Sequence, residues 1–384
     1  MRITHVRAHN WRNFKVLDFA VGDRLVVVGP NASGKSNLLD LFRFLSDISR
    51  SGGGLAAALE SRQGLSKTRS LFARNNHRGE LNVEVTLADD GEIWEYELAV
   101  KGESGGLNRP IVVKEVVRRN GSVLLNRPDA QDAQDPERRT QTHLEQISAN
   151  QKFRPIADYF AKTNYFHLVP QVIRHPQSSG VLGARAFGSS MIAEMNATPA
   201  KTRNAWFKRI QRGLVAAVPG FESLRLEVDK AGQPHLIAGY RNWRSNPSEQ
   251  NEADFSDGTL RLIGLLWTIV SAPSNGGVLL LEEPELSLNT AVVRRLASLL
   301  AAAQRRSSMQ VILTTHAPEL LDDEGVRADE VLVLQVTDDG TTAAPLWSVA
   351  EVADELAAEI PFSDIISELI SPEDLSGLVS AARR

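Results

Sequence analysis

An apolar run, Leu25-Val26-Val27-Val28, passes directly into Gly29-Pro30-Asn31-Ala32-Ser33-Gly34-Lys35-Ser36, and Asn37-Leu38-Leu39 then opens a helix. A buried strand that feeds a glycine loop and then a helix is the setting of a phosphate cradle. A glycine at each end lets the backbone curl until its N–H groups point at phosphate oxygens, and the helix N-terminus adds the positive end of its dipole. On this reading Gly29 through Asn37 bind a nucleotide, Lys35 reaches the β- and γ-phosphates, and the Ser36 hydroxyl ligates Mg²⁺. The fold class that follows is α/β, a P-loop NTPase.

With 384 residues the chain can bury a large core in one or two domains. No apolar run approaches the ~20 residues of a bilayer span, and Met1-Arg2-Ile3-Thr4-His5 lacks the apolar core of a signal peptide, so a cytoplasmic protein without a membrane partner is expected. The absence of cysteine excludes disulfides, thiol nucleophiles and cysteine-ligated metals. A net charge of −4 provides no global nucleic-acid footprint, so any DNA contact must come from a local patch.

Two short strands at 3–8 and 14–20, joined by Asn10-Trp11-Arg12-Asn13, precede the glycine loop and form a small N-terminal antiparallel β-layer. Beyond the helix at about 36–50, Leu81, Val83, Val85 and Leu87 alternate with polar residues, and Asp89-Asp90-Gly91 turns the chain into Trp94, Tyr96, Leu98 and Val100. Period two marks a half-buried hairpin. Further strands are expected at 111–118 and 122–125. The stretches 127–142 and 176–205 read as exposed loops around a helical and β insert, within which Tyr165-Phe166-His167-Leu168-Val169 returns to the main sheet and 224–228 pairs with 235–238. The expected organisation is a first lobe with the glycine loop at 1–105, an inserted subdomain at 106–250, a second lobe at 251–345 and C-terminal helices at 346–384.

Val278-Leu279-Leu280-Leu281 is too uniformly apolar for a one-sided strand and suits a buried parallel one. It ends in Glu282-Glu283-Pro284-Glu285. Paired carboxylates at a central strand tip lie where α/β sheets bind ligands. Glu282 can hold Mg²⁺ through water, and Glu283 can accept a proton from an attacking water. After a helix carrying Val292, Val293, Leu296, Leu299 and Leu300, a second buried strand, Val311-Ile312-Leu313, ends in Thr314-Thr315-His316. A neutral imidazole at that tip can sense the terminal phosphate. Upstream, Ser256-Asp257-Gly258 opens the helix Leu262 to Val270 and offers a second anion site.

These motifs, with Asn10-Trp11-Arg12-Asn13-Phe14 at the start and residues 253–335, resemble the ABC-type ATPases of the RecF, SMC and OLD group, in particular the stand-alone OLD-like ATPases of bacterial defence modules. The resemblance implies ATP and Mg²⁺ as ligands. It implies that Glu282 and Glu283 are the Walker B acid and the catalytic base, His316 the switch histidine and Arg12 a nucleotide-proximal arginine. Ser256-Asp257-Gly258 would be the signature motif, acting in trans on ATP held by a second copy. A head-to-tail homodimer, or a higher homo-oligomer, follows. Glu282 stands where many relatives carry aspartate, and Gln63 and Asn75-Asn76-His77 are the candidates for the Q-loop.

Transporter signatures read closer to Leu-Ser-Gly-Gly-Gln. No sustained heptads of an SMC arm are present. The residues after Pro345 are too few for an appended OLD-type nuclease domain. The resulting expectation is an ATPase switch that regulates a separate effector, a nuclease or toxin, in anti-phage or anti-plasmid defence. The alternatives are a RecF-like clamp on DNA and a scaffold that holds nucleotide structurally, against which the intact Glu283 and His316 argue. Lys201, Arg203, Lys208, Arg209 and Arg212 around Trp206 and Phe207, and Arg241 and Arg244 beside Trp243, leave DNA contact open, although the same spacing describes the solvated face of an amphipathic helix.

Overall fold

The computed structural model describes residues 1–70, 79–103, 109–176, 187–243, 246–272, 276–349, 352, 354–355, 358 and 360–371. The chain opens with β1 (Arg2–Trp11), β2 (Phe14–Ala20), β3 (Arg24–Val28) and the helix α1 (Lys35–Ser49). Strands β4 (Leu81–Asp89), β5 (Glu92–Gly102), β6 (Pro110–Arg119) and β7 (Ser122–Arg127) follow. They join the first two in an antiparallel sheet ordered β2-β1-β4-β5-β6-β7. The expected hairpin is β4 and β5, whose turn residues Asp90 and Gly91 both have positive φ, the geometry that suits the twist of paired strands.

A second sheet assembles from distant segments. It comprises β3, β8 (Asn164–Phe166), β12 (Val278–Glu282), β13 (Gln310–Thr314), β14 (Val331–Thr337) and β15 (Gly340–Pro345), ordered β15-β14-β3-β13-β12-β8. All of its pairs are parallel except β14 with β15. Every residue of β3 is buried, and the reason is two-sided packing. Leu25 and Val27 enter the core shared with α1 and the first sheet, whereas Val26 and Val28 enter the core built on the helix Asp257–Ser271. Helix α1, clamped between the sheets, buries Leu38, Leu39, Phe42, Phe44 and Leu45 around most of its circumference. Because β3, β13 and β12 run parallel and adjacent, their C-terminal tips converge on one edge.

The remaining strands, β9 (Phe221–Val228), β10 (Pro234–Tyr240) and β11 (Ser248–Asn251), form a small antiparallel sheet beside the helices Met191–Ala197 and Ala200–Ala217. Four expectations need correction. The boundary at 105 falls between β5 and β6, which are paired, so the first sheet continues to Arg127. Residues 127–142 are not simply exposed: they contain the helix Ala130–Gln134 and a 3₁₀ turn, and Arg127, Asp132 and Thr142 are buried. The helix after the acidic strand is broken into Thr290–Val293 and Leu296–Ser307. The stretch 176–205 is not all loop, since its described part carries the helix Met191–Ala197 and the start of Ala200–Ala217, and at the C-terminal end a 3₁₀ turn at Leu346–Ser348 and the helix Phe362–Ile370 follow.

Trp206 and Phe207 of the first basic cluster turn toward the core, whereas Trp243 of the second is exposed. Half-buried Trp206 and buried Phe207 pack edge-on against Trp267 at 5.2 and 5.9 Å, and the cations Lys208 and Arg209 face solvent. Arg241 pairs with Glu222. Arg244 lies outside the described residues. No helix among the described residues is long and apolar enough to cross a membrane.

Candidate functional site

The glycine loop leaves β3 at the converging tips. Ala32 and Gly34 adopt left-handed φ values of 62° and 96°, and Leu38 N–H bonds back to Gly34 O at 2.9 Å to start α1. A Cβ on Gly34 would lie 2.2 Å from Asn13 Nδ2, so only glycine fits. Asn13 itself ties the loop together. Its Nδ2 donates to Ser33 O at 2.9 Å and to Thr341 Oγ1 at 2.7 Å, and its Oδ1 accepts from Asn37 Nδ2 at 2.8 Å. Trp11, fully buried, donates from Nε1 to Asn37 O at 2.7 Å. The two residues flanking Arg12 therefore brace the loop. Arg12 is turned to Asp40 of α1 at 2.8 Å, an acid it shares with Arg62.

Lys35 is 6% exposed, and its Nζ donates to Gly29 O at 2.8 Å and Pro30 O at 3.1 Å. Burial lowers its ammonium to about 8, against the pull of Glu283, Glu285 and Glu282. The same Nζ lies 3.4 Å from His316 Nδ1, and His316 Nε2 lies 3.2 Å from Glu283 Oε1. The tautomer with hydrogen on Nε2 satisfies both contacts, with Nδ1 accepting from the lysine. Burial first and the Lys35 charge second lower the imidazole below its usual value, despite Glu283, so His316 is neutral at pH ~7.

Each carboxylate at the tip of β12 has a separate set of partners. Glu282 Oε1 accepts from Ser36 Oγ at 2.5 Å, and its Oε2 accepts from the Tyr165 hydroxyl. Glu283 has φ 45°, a left-handed conformation unusual for glutamate that turns its side chain out of the strand's alternation toward His316. Glu285, 7% exposed, accepts from Thr315 Oγ1 at 2.8 Å and from the His316 N–H at 2.9 Å, while its Oε2 has no hydrogen-bond partner. Burial raises its carboxyl above the ordinary range, in opposition to those bonds. Glu285 thus fixes the backbone on which the histidine rides.

Lys35, Ser36, Glu282, Glu283 and His316, from three strand tips, form one contiguous polar cluster. A serine hydroxyl in contact with a carboxylate is a hard-oxygen donor pair of the kind Mg²⁺ takes. The buried Ser33 hydroxyl, which has no partner, and the exposed Asn31 and Ala32 of the loop leave polar capacity for phosphate oxygens. Ser256-Asp257-Gly258 is not hydrogen-bonded to this cluster. Ser256 Oγ caps its helix by accepting from Thr259 N–H at 3.1 Å, and Asp257 pairs with Arg174 at 2.7 Å. Gly258 lies so close to the turn after Glu285 that a Cβ would be 2.3 Å from Ser287 O. Gln63 is exposed in a turn beyond α1, and Asn75-Asn76-His77 lies outside the described residues.

Residues 24–322 match the family described as an AAA domain, putative AbiEii toxin, type IV toxin–antitoxin system. The chain belongs to this family. Its fold is that of a P-loop domain of the SMC-head type. Among solved structures, the SMC head bound to the C-winged-helix domain of ScpA is 15% identical, with 90% of this chain and 98% of that one covered and a TM-score of 0.52. The SMC head domain from Thermotoga maritima is 17% identical over 90% of this chain and 99% of that one, with a TM-score of 0.49. At such identities the likeness is one of fold. No curated protein matches the chain.

Three residues of the site carry no role in the sequence reading. Asn13 lies in the motif Asn10-Trp11-Arg12-Asn13 that precedes the loop, and that position is its signal. Glu285 stands beside the paired acids, where a third carboxylate could have been asked for its partner. Tyr165, 117 positions from Glu282, had none beyond the strand that carries it.

Proposed function

We propose that this chain is an ATP-driven switch that binds Mg·ATP at Gly29 to Asn37 and Glu282, hydrolyses it to ADP and phosphate, and through that cycle regulates a separate effector, a toxin or nuclease, in a bacterial defence system. The observation that carries the reading is the contiguous chain Lys35, His316, Glu283, set beside the contact between Ser36 and Glu282. Ser36 and Glu282 would hold Mg²⁺, which would supply neutralisation of phosphate charge. Lys35 exchanges its bonds to Gly29 and Pro30 carbonyls for phosphate oxygens. Glu283, on the face toward His316, takes a proton from the water that attacks the γ-phosphorus. The neutral His316 then orients that water or the γ-phosphate, its position held by Glu285. The family's description, which names a toxin–antitoxin system, supports an effector of the toxin type.

The shared-site dimer is part of the same proposal: Ser256-Asp257-Gly258 of one copy caps the γ-phosphate bound by another. Ser256→Arg is expected to leave ATP binding to the single chain intact and to lower hydrolysis at least tenfold, as loss of a group that touches only the transferring phosphate should. Specific activity of the unaltered protein should rise with its concentration. Unchanged turnover in a folded Ser256→Arg protein would argue against the dimer.

Lys35 supplies an independent test of the nucleotide site. With its ammonium lowered to about 8, the lysine is largely neutral above that pH, and incoming phosphate charge raises its proton affinity. ATP binding above pH ~8 is therefore expected to take up protons. Calorimetry in buffers of different ionisation enthalpy measures this uptake, and Lys35→Arg, whose guanidinium does not titrate, should abolish it. Binding without uptake would mean that Lys35 does not meet the phosphates.

A further inference from the structure

Glu282 is one methylene longer than an aspartate, and the extra torsion gives its carboxylate more ways to point. The structure removes that freedom from two sides. One oxygen is held by Ser36 at the start of α1, and the other by the hydroxyl of Tyr165 on β8. β8 is the outermost strand of the parallel sheet, three residues long, with Tyr165 in register with Leu280 of β12. The guanidinium of Arg43, about two turns along α1 from Ser36, covers the Tyr165 ring at 4.2 Å from its centroid. Serine, glutamate, tyrosine and arginine thus form a single stack between α1 and the sheet edge.

Resting on the ATPase reading above, we propose that Tyr165 is a positioning residue for Mg²⁺: its hydroxyl orients the Glu282 carboxylate so that the oxygen shared with Ser36 faces the metal. A second-layer donor of this kind costs metal affinity when removed, and leaves the metal-independent part of ligand binding alone. Arg43 supports the arrangement by stacking on the ring, which limits rotation of the tyrosine away from the acid.

The test compares Tyr165→Phe with the unaltered full chain, using a fluorescent ATP analogue titrated in EDTA and then with increasing Mg²⁺, and Mn²⁺ binding followed by electron paramagnetic resonance. Tyr165→Phe is expected to bind the analogue in EDTA as the parent does, and to need about tenfold more Mg²⁺, or Mn²⁺, for half-maximal effect. Arg43→Met, which keeps the hydroxyl but uncovers the ring, should shift the metal midpoint in the same direction by less. An unchanged midpoint in a Tyr165→Phe protein with parental thermal stability overturns the role of the tyrosine. Unaltered protein whose nucleotide binding ignores Mg²⁺ overturns the ATPase reading itself, which separates the two failures.

Discussion

Glu283→Gln should lower ATP turnover by roughly 10²–10⁴-fold, the range a positioned general base contributes, while nucleotide binding survives. The amide keeps the length of the side chain, and its oxygen can still accept from His316 Nε2, the contact seen at 3.2 Å. What is lost is the ability to take a proton. The left-handed backbone at residue 283 is an equal burden for glutamate and glutamine, so the exchange adds no strain. In a shared-site dimer the variant should also accumulate in its ATP-bound closed form, readable as an ATP-dependent rise in molecular mass. Phosphate release at the parental rate would remove Glu283 from the role of base and turn attention to Glu285. That carboxylate is the weaker candidate on geometric grounds, since it is buried and its Oε1 is committed to Thr315 and His316.

Local patterning carried much of the fold into view. Alternation in β4 and β5, uniform apolarity in β3, β12 and β13, and the glycine loop each report on one short segment and its immediate environment. Lys35, Ser36, Glu282, Glu283 and His316 could be named because each is tied to the end of such a segment. The side-chain partners could not, since they depend on which distant elements meet. Asn13 acts on Gly34 and Thr341, and Tyr165 acts on Glu282 across a strand order that places β8 beside β12. Arg12 shows the converse: its position beside the loop was legible, but Asp40, one turn beyond Ser36 and shared with Arg62, is its partner. Polar composition misled most at 127–142, where Asp, Gln and Arg suggested solvent and the chain instead buries an ionic cluster.

That cluster sets the largest stability effect to be expected. Arg127 and its partners Glu115 and Asp132 have fully buried side chains. The guanidinium uses all of its N–H groups: a bidentate pair to Asp132 at 2.7 and 3.0 Å, one bond to Glu115 at 2.9 Å, and one each to the carbonyls of Gln141 and Arg138. Glu115 in turn accepts from the N–H groups of His143 and Leu144, so the arginine pins the whole segment after β7 to the first sheet. Arg127→Met would fill the volume but leave Glu115 buried without a cation and Asp132 with only Arg138 at 3.5 Å, at a cost of about 3–5 kcal/mol. The cost should depend on pH in a defined sense. Burial pushes the Asp132 carboxyl up, but the bonds to Arg127 and the Asp129 N–H prevail and hold it at about 2. A carboxyl depressed in the folded state contributes stability above its unfolded value of 3.8 and loses it as pH falls through the folded one. The variant lacks that contribution, so the two proteins should differ most near neutrality and converge as the pH falls through 3.8 toward 2. Urea unfolding of both across that range measures it. A neutral-pH difference below ~1 kcal/mol would show that the acids protonate at little cost when unpaired, and that the segment is held by its backbone contacts alone.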